Sequence, residues 1–183
     1  MRIIGGSLAR RLLRFPKTFQ TRPMTDRAKE TLFNVLGSAP EAASVLDLYA
    51  GSGSLGIESL SRGARHVYFV DSEKIATLCI ERNLTALRLE SIAHVIKMPA
   101  ARALDMLEKR HEKFDLIFSD PPHNKGLTKK TLRLLDRSDT LRARGTVVVG
   151  HSNKENLPED LQTLCVYRSI KIGQAFISFL GKK

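Results

Sequence analysis

From Ser44 to Gly150 the chain alternates short apolar runs with segments of helical period, and no other feature constrains its fold as much. The runs at 44–49, 66–70, 93–97, 114–119 and 146–150 read as strands, and 55–61, 73–87, 101–110 and 127–135 read as helices. A strand joined to the next by a helix lies parallel to it, with helices covering both faces of the sheet. The end of the chain breaks this pattern. Strand candidates 164–172 and 175–180 are separated only by Gly173-Gln174, too short for a helical crossover, so an antiparallel hairpin should close a mostly parallel sheet. The expected class is α/β and Rossmann-like, with a short N-terminal arm.

That arm occupies residues 1–40, ahead of a main domain at 41–183. Short apolar runs around Gly5-Gly6-Ser7 suit a small hairpin before Pro16. Thr25 or Asp26 can cap a helix whose apolar face is Ala28, Leu32, Phe33, Val35 and Leu36, and Gly37 ends it. With 183 residues and 42% hydrophobic content the chain can bury a core, which excludes global disorder. It has no apolar run of about 18 residues and no apolar segment behind Arg2, so a soluble, cytoplasmic protein is expected. Cys79 and Cys165 stand in apolar surroundings without ligand spacing and read as buried free thiols; no metal set is foreseen.

The formal charge is +11, from 30 Lys and Arg against 19 Asp and Glu, which suits a polyphosphate partner. Cations concentrate in residues 1–30, with Arg10, Arg11, Arg22 and Arg27, and in residues 123–144, with Lys125, Lys129, Lys130 and Arg133. If folding brings the two blocks together, they form one electropositive face.

Two constellations carry chemistry. The first is Asp47-Leu48-Tyr49-Ala50-Gly51-Ser52-Gly53-Ser54-Leu55-Gly56, a strand running through a glycine turn into a helix. Glycine permits the turn and a close approach of ligand to backbone, and the helix start offers N–H donors. Asp71, with Ser72 beside it, ends the next strand, where a carboxylate can accept from both hydroxyls of a ribose. The glycine spacing alone fits a nicotinamide dinucleotide equally well. The second constellation is Asp120-Pro121-Pro122-His123 after the fourth strand. Proline removes backbone donors, so the Asp120 carboxylate and the Pro121 carbonyl can both accept from one substrate amine, and His123 can stack on a base lifted from its helix.

These motifs resemble those of the bacterial 16S ribosomal RNA guanine-N2 methyltransferases, class I enzymes that use S-adenosylmethionine. The resemblance covers nearly the whole chain and is most specific in Arg2-Ile3-Ile4-Gly5-Gly6, Arg22-Pro23, Thr25-Asp26-Arg27, Glu30-Thr31-Leu32-Phe33-Asn34, Ala50-Gly51-Ser52-Gly53 and Asp120-Pro121-Pro122. It implies that Asp47, Gly51 and Gly53 surround the methionine part of the cofactor, that Asp71 holds its ribose, and that Tyr49, Ser52 and Ser72 belong to the same cofactor site, with Ser72 able to serve in part at the adenine amine. It further implies that Asp120, Pro121, Pro122 and His123 handle the guanine amine, and that Arg10, Arg11, Arg22, Arg27 and Lys125 contact 16S rRNA in the small subunit or its precursor. A monomer is expected. The chain departs from the family where His123 replaces Phe or Tyr, and where Lys97-Met98-Pro99-Ala100 lacks a side chain for the adenine amine. Three other readings stay open at this level: a catalytically impaired rRNA-binding assembly module, an adenine-N6 DNA methyltransferase, and a nicotinamide-dependent oxidoreductase.

Overall fold

The computed structural model describes residues 1–16, 24–122 and 126–183. Its seven-stranded sheet has the order β3-β2-β1-β4-β5-β7-β6. The strands are β1 (Ser44–Leu48), β2 (His66–Asp71), β3 (Ala93–Lys97), β4 (Phe114–Ser119), β5 (Leu141–Ser152), β6 (Leu164–Ile172) and β7 (Ala175–Lys182). The first five are mutually parallel, and β7 runs antiparallel between β5 and β6, as the short Gly173-Gln174 link requires. The helices are α1 (Asp26–Leu36), α2 (Ser54–Ser61), α3 (Lys74–Leu87), α4 (Ala100–Lys109) and α5 (Leu127–Arg137).

Alternating strand residues feed two cores. On one face Val45, Val67, Phe69, Leu116 and Phe118 pack against α1, α2, α3 and the arm, through Leu32, Phe33, Ile57, Ile80, Ile3 and Leu13. The Phe33 and Phe118 rings lie 5.9 Å apart and dock α1 on β4. On the other face Leu46, Leu48, Ile117, Val147 and Val149 pack against Leu104 and Leu107 of α4 and Leu132 and Leu135 of α5. The chain winds from β1 outward to β2 and β3 and then crosses back to β4 on the other side of β1, so a crevice opens where β1 and β4 adjoin, beyond their C-terminal ends.

The α1 helix starts as its sequence indicates, with the Thr25 hydroxyl accepting from the Ala28 N–H at 3.2 Å, and Gly37 ends it at φ 56°. The arm is a hairpin: Ile3 N–H donates to Arg11 O, and Arg10 N–H to Ile3 O. Two sequence expectations need correction. β5 begins at Leu141 rather than 146, because Phe114 pairs with Leu141 while Leu116 already pairs with Thr146, so Arg142–Gly145 are accommodated as an irregularity in the strand. Cys79 is buried, but Cys165 is exposed, since it stands on the outward face of the edge strand β6. Among the described residues, the two basic blocks pack in different layers, the arm and α1 in one and α5 in the other.

Candidate active site

β1 delivers Asp47 to the crevice floor, where it is 2% exposed and its Oδ2 accepts from the Gly56 N–H at 2.9 Å, capping α2 from below. Desolvation pushes its carboxyl up from 3.8 to about 7; the Gly56 bond opposes this, and the charges of Asp120 and Asp71 add to it. Three carboxylates therefore converge on one crevice, and the most buried is held near half-protonation at neutral pH.

The turn after β1 alternates left-handed residues: Tyr49 at φ 61°, Gly51 at 58° and Gly53 at 78°. Gly51 is required for its backbone conformation alone, because an added Cβ would meet only the Tyr49 carbonyl, at 4.0 Å. Its peptide thus lies open to a ligand. Gly56 has a different task. A Cβ there would stand 2.3 Å from the Phe69 ring, so this third glycine of the fingerprint serves the packing of α2 on β2. Tyr49 tolerates its strained backbone while its hydroxyl shares a 2.6 Å hydrogen bond with Thr131 of α5. The phenol therefore ties the turn to the helix that follows the Asp-Pro-Pro segment.

Asp71 Oδ2 accepts from the Gly51 N–H and Oδ1 from the Glu73 N–H, each at 2.9 Å. Each oxygen keeps a lone pair, enough for the two hydroxyls of a ribose. Ser72 is exposed and its hydroxyl faces Glu73 at 3.5 Å. Ser52 is buried; its hydroxyl lies 3.9 Å from the Met1 sulfur and its carbonyl accepts from Asn83, so its side chain serves the arm.

β4 carries Asp120 to the same crevice, since Leu48 and Ser119 are paired neighbours. Gly150 of β5 makes room for it: a Cβ at that position would fall 2.2 Å from Asp120 Oδ1. Pro121 is buried and Pro122 partly so. His123 and Lys125 lie outside the described residues, as does Arg22.

Arg10 and Arg27 come together with Arg2, Ile3, Ile4, Asp26 and Glu30 around a depression of about 650 Å³ between the arm and α1. Arg11 is exposed on the hairpin but does not line it. Gly126, Lys129, Lys130, Arg133, Leu134 and Arg137 edge a smaller one of about 460 Å³ on α5.

Sequence reasoning missed the residues that fasten the arm. Glu58 of α2 is fully buried and accepts from the Ile4 and Gly5 N–H groups, both at 2.8 Å, from Lys29 Nζ at 3.2 Å and from Arg62 Nε at 3.0 Å. Burial pushes the Lys29 amine below its ordinary value, against the pull of Glu58, and its Nζ also donates to Arg2 O at 2.6 Å. A trace was present in the sequence: Lys29 precedes Leu32 and Phe33 by three and four residues, which puts a charge on the apolar stripe.

Comparison with known proteins accords with this arrangement. The family described as Conserved hypothetical protein 95 matches residues 1–181. A Bacillus subtilis (strain 168) relative named "Putative rRNA methyltransferase YlbH" is 38% identical over 183 residues, the whole of both chains. "Ribosomal RNA small subunit methyltransferase D" of Escherichia coli (strain K12) is 32% identical over 174 residues, covering 95% of this chain and 86% of its own. Among solved structures, one described as "Putative methyltransferase yhhF from Escherichia coli" superposes with a TM-score of 0.86 at 30% identity, over 100% of this chain and 98% of that one.

Proposed function

Because the chain belongs to the Conserved hypothetical protein 95 family, we propose that it transfers the methyl group of S-adenosylmethionine to the exocyclic N2 amine of a guanine in 16S rRNA. The observation that carries this reading is the meeting of the glycine turn of β1 with the Asp120-Pro121-Pro122 turn of β4 at one crevice. Relatives named as rRNA methyltransferases give it the substrate class. Guanine N2 comes from the motif resemblance.

The crevice suits this cofactor on its own terms. A carboxylate held near 7 by burial and by two neighbouring carboxylates favours a cationic occupant, and the cofactor carries an ammonium and a sulfonium. Asp71 would hold the ribose, and the open peptide of Gly51 would lie along the methionine portion. When bound, the cofactor supplies an electrophilic methyl group.

The chain's own residues then do the positioning. The Asp120 carboxylate and the Pro121 carbonyl accept from the two N–H bonds of the amine, which favours a pyramidal nitrogen and aims its lone pair. With prolines at 121 and 122 the turn presents acceptors without competing N–H donors. Methylation leaves the nitrogen with a surplus proton, and Asp120, already its hydrogen-bond acceptor, takes it. A guanine must leave its stack to reach this point. Arg10, Arg11 and Arg27 on the arm and α1 would meet RNA phosphates on one flank, and Lys129 and Lys130 of α5 on the other. In this account residues 1–40 serve the RNA, and 41–183 carry the transfer together with the second RNA flank on α5, within a monomer acting on the small subunit or its precursor in the cytoplasm.

The test is Asp120→Ala in a single-turnover assay. The rate should fall about 100-fold or more, while the affinity for S-adenosylhomocysteine stays within a small factor. Transfer at the wild-type rate would refute the mechanism.

A further inference from the structure

Asn83 stands on the buried face of α3, 2% exposed, between the arm and the glycine turn. Its Oδ1 accepts from the Arg14 N–H at 2.8 Å, and its Nδ2 donates to Arg14 O at 3.1 Å and to Ser52 O at 3.0 Å. One side-chain amide thus clasps both backbone groups of the last arm residue before Phe15 and the central carbonyl of the turn. That carbonyl belongs to the residue between Gly51 and Gly53, both left-handed, where the backbone is intrinsically soft and depends on outside bonds for its position. The arm touches the same residue a second time, through the Met1 sulfur beside the Ser52 hydroxyl.

The other end of the arm is fixed. Glu58 grips Ile4 and Gly5, and Ser61 O accepts from the Ser7 N–H at 2.7 Å. With the hairpin base anchored on α2, a shift of its outgoing strand is passed to the turn chiefly through Arg14 and Asn83. Fixing that strand therefore fixes Ser52 O, and ordering the turn orders the strand.

We propose that Asn83 is a positioning residue that couples RNA on the arm to the cofactor turn, so that each ligand tightens the other. This rests on the reading of the arm as an RNA-binding element. An asparagine that only filled a buried polar site would affect stability and cofactor affinity without making either affinity depend on the other ligand. Coupling between two sites is reciprocal by thermodynamic necessity, which separates the two roles.

The experiment measures equilibrium binding of S-adenosylhomocysteine, which permits no turnover, with and without saturating small ribosomal subunits that lack the modification. In the wild type the subunits should lower the dissociation constant about fivefold or more, and S-adenosylhomocysteine should tighten subunit binding by the same factor. In Asn83→Ala both ligands still bind and the ratio falls towards one. A wild-type ratio of one, or an undiminished ratio in Asn83→Ala, overturns the proposal. Should the variant not fold, hydrogen exchange in the wild type decides: subunits must slow exchange of the Gly53 N–H, which donates to Ala50 O at 2.7 Å, and unchanged exchange refutes the coupling. Wild-type protein that binds no subunits refutes the RNA reading together with the coupling, whereas independent binding of both ligands refutes the coupling alone.

Discussion

Replacing Asp47 by Asn should make the protein more stable and its cofactor binding weaker, and the stability gain should depend on pH in a fixed way. In the fold the carboxyl titrates near 7, against an ordinary value of 3.8. Between those values the folded state holds a proton that the unfolded chain has released, so stability falls as pH rises through this window. At 1.36 kcal/mol for each tenfold change in proton activity, the full loss is roughly 4 kcal/mol. Asn at 47 keeps an oxygen for the Gly56 N–H and carries no charge, so it escapes the loss. Urea denaturation of both proteins from pH 4 to pH 8.5, without cofactor, reads the difference directly and cancels every group the two share. The variants should coincide near pH 4, diverge steadily through pH 5 and 6, and hold a constant gap of several kcal/mol above about pH 7.5. In the same series S-adenosylhomocysteine should bind the wild type more tightly as pH rises towards 7, because its ammonium favours the ionised carboxylate; Asp47→Asn should lose that dependence. A stability gap that stays flat with pH, or Asp47→Asn less stable than wild type at pH 8, would refute the assignment of a strained, half-protonated carboxyl.

Two further substitutions probe the supports of the site. Glu58→Ala leaves Lys29 buried without its carboxylate partner and frees the Ile4 and Gly5 N–H groups; it should cost about 3–5 kcal/mol in denaturation and speed proteolysis of the arm, and a cost under about 1 kcal/mol would contradict the hub. Gly150→Ala drives a methyl group into the space of Asp120 Oδ1, so methyl transfer should fall about tenfold or more while S-adenosylhomocysteine binding holds and stability drops by about 1–3 kcal/mol; wild-type turnover would show that the carboxylate does not need that space.

Much of the frame was legible because periodicity reports burial. The five parallel strands follow from short apolar runs set between segments of helical period, the closing hairpin from the two-residue Gly173-Gln174 link, and the Thr25 cap from a hydroxyl placed just before an apolar helical stripe. What escaped was tertiary in origin. The early start of β5 depends on Leu141 finding Phe114 across an irregular register, which no local run of Arg-Ala-Arg-Gly announces. Cys165 looks buried by composition, but whether a strand lies at the edge is decided by sheet order. The site divides in the same way. Asp47, Asp71 and Asp120 sit at strand ends and could be read from the sequence. Gly150 matters only because a neighbouring strand presents Asp120 to it. Asn83, like Lys29, was visible as a polar residue on an apolar stripe, three and four positions from Ile80 and Cys79, but its partners Arg14 and Ser52 lie 69 and 31 residues away.

The most direct test of the account is transfer of labelled methyl from S-adenosylmethionine to small ribosomal subunits lacking the modification, beside naked 16S rRNA and duplex DNA, with the product digested to nucleosides. The account predicts label in the subunit sample, recovered as N2-methylguanosine and absent from DNA. Label in adenosine or in DNA, or none in any sample when S-adenosylmethionine binding is verified, would contradict it.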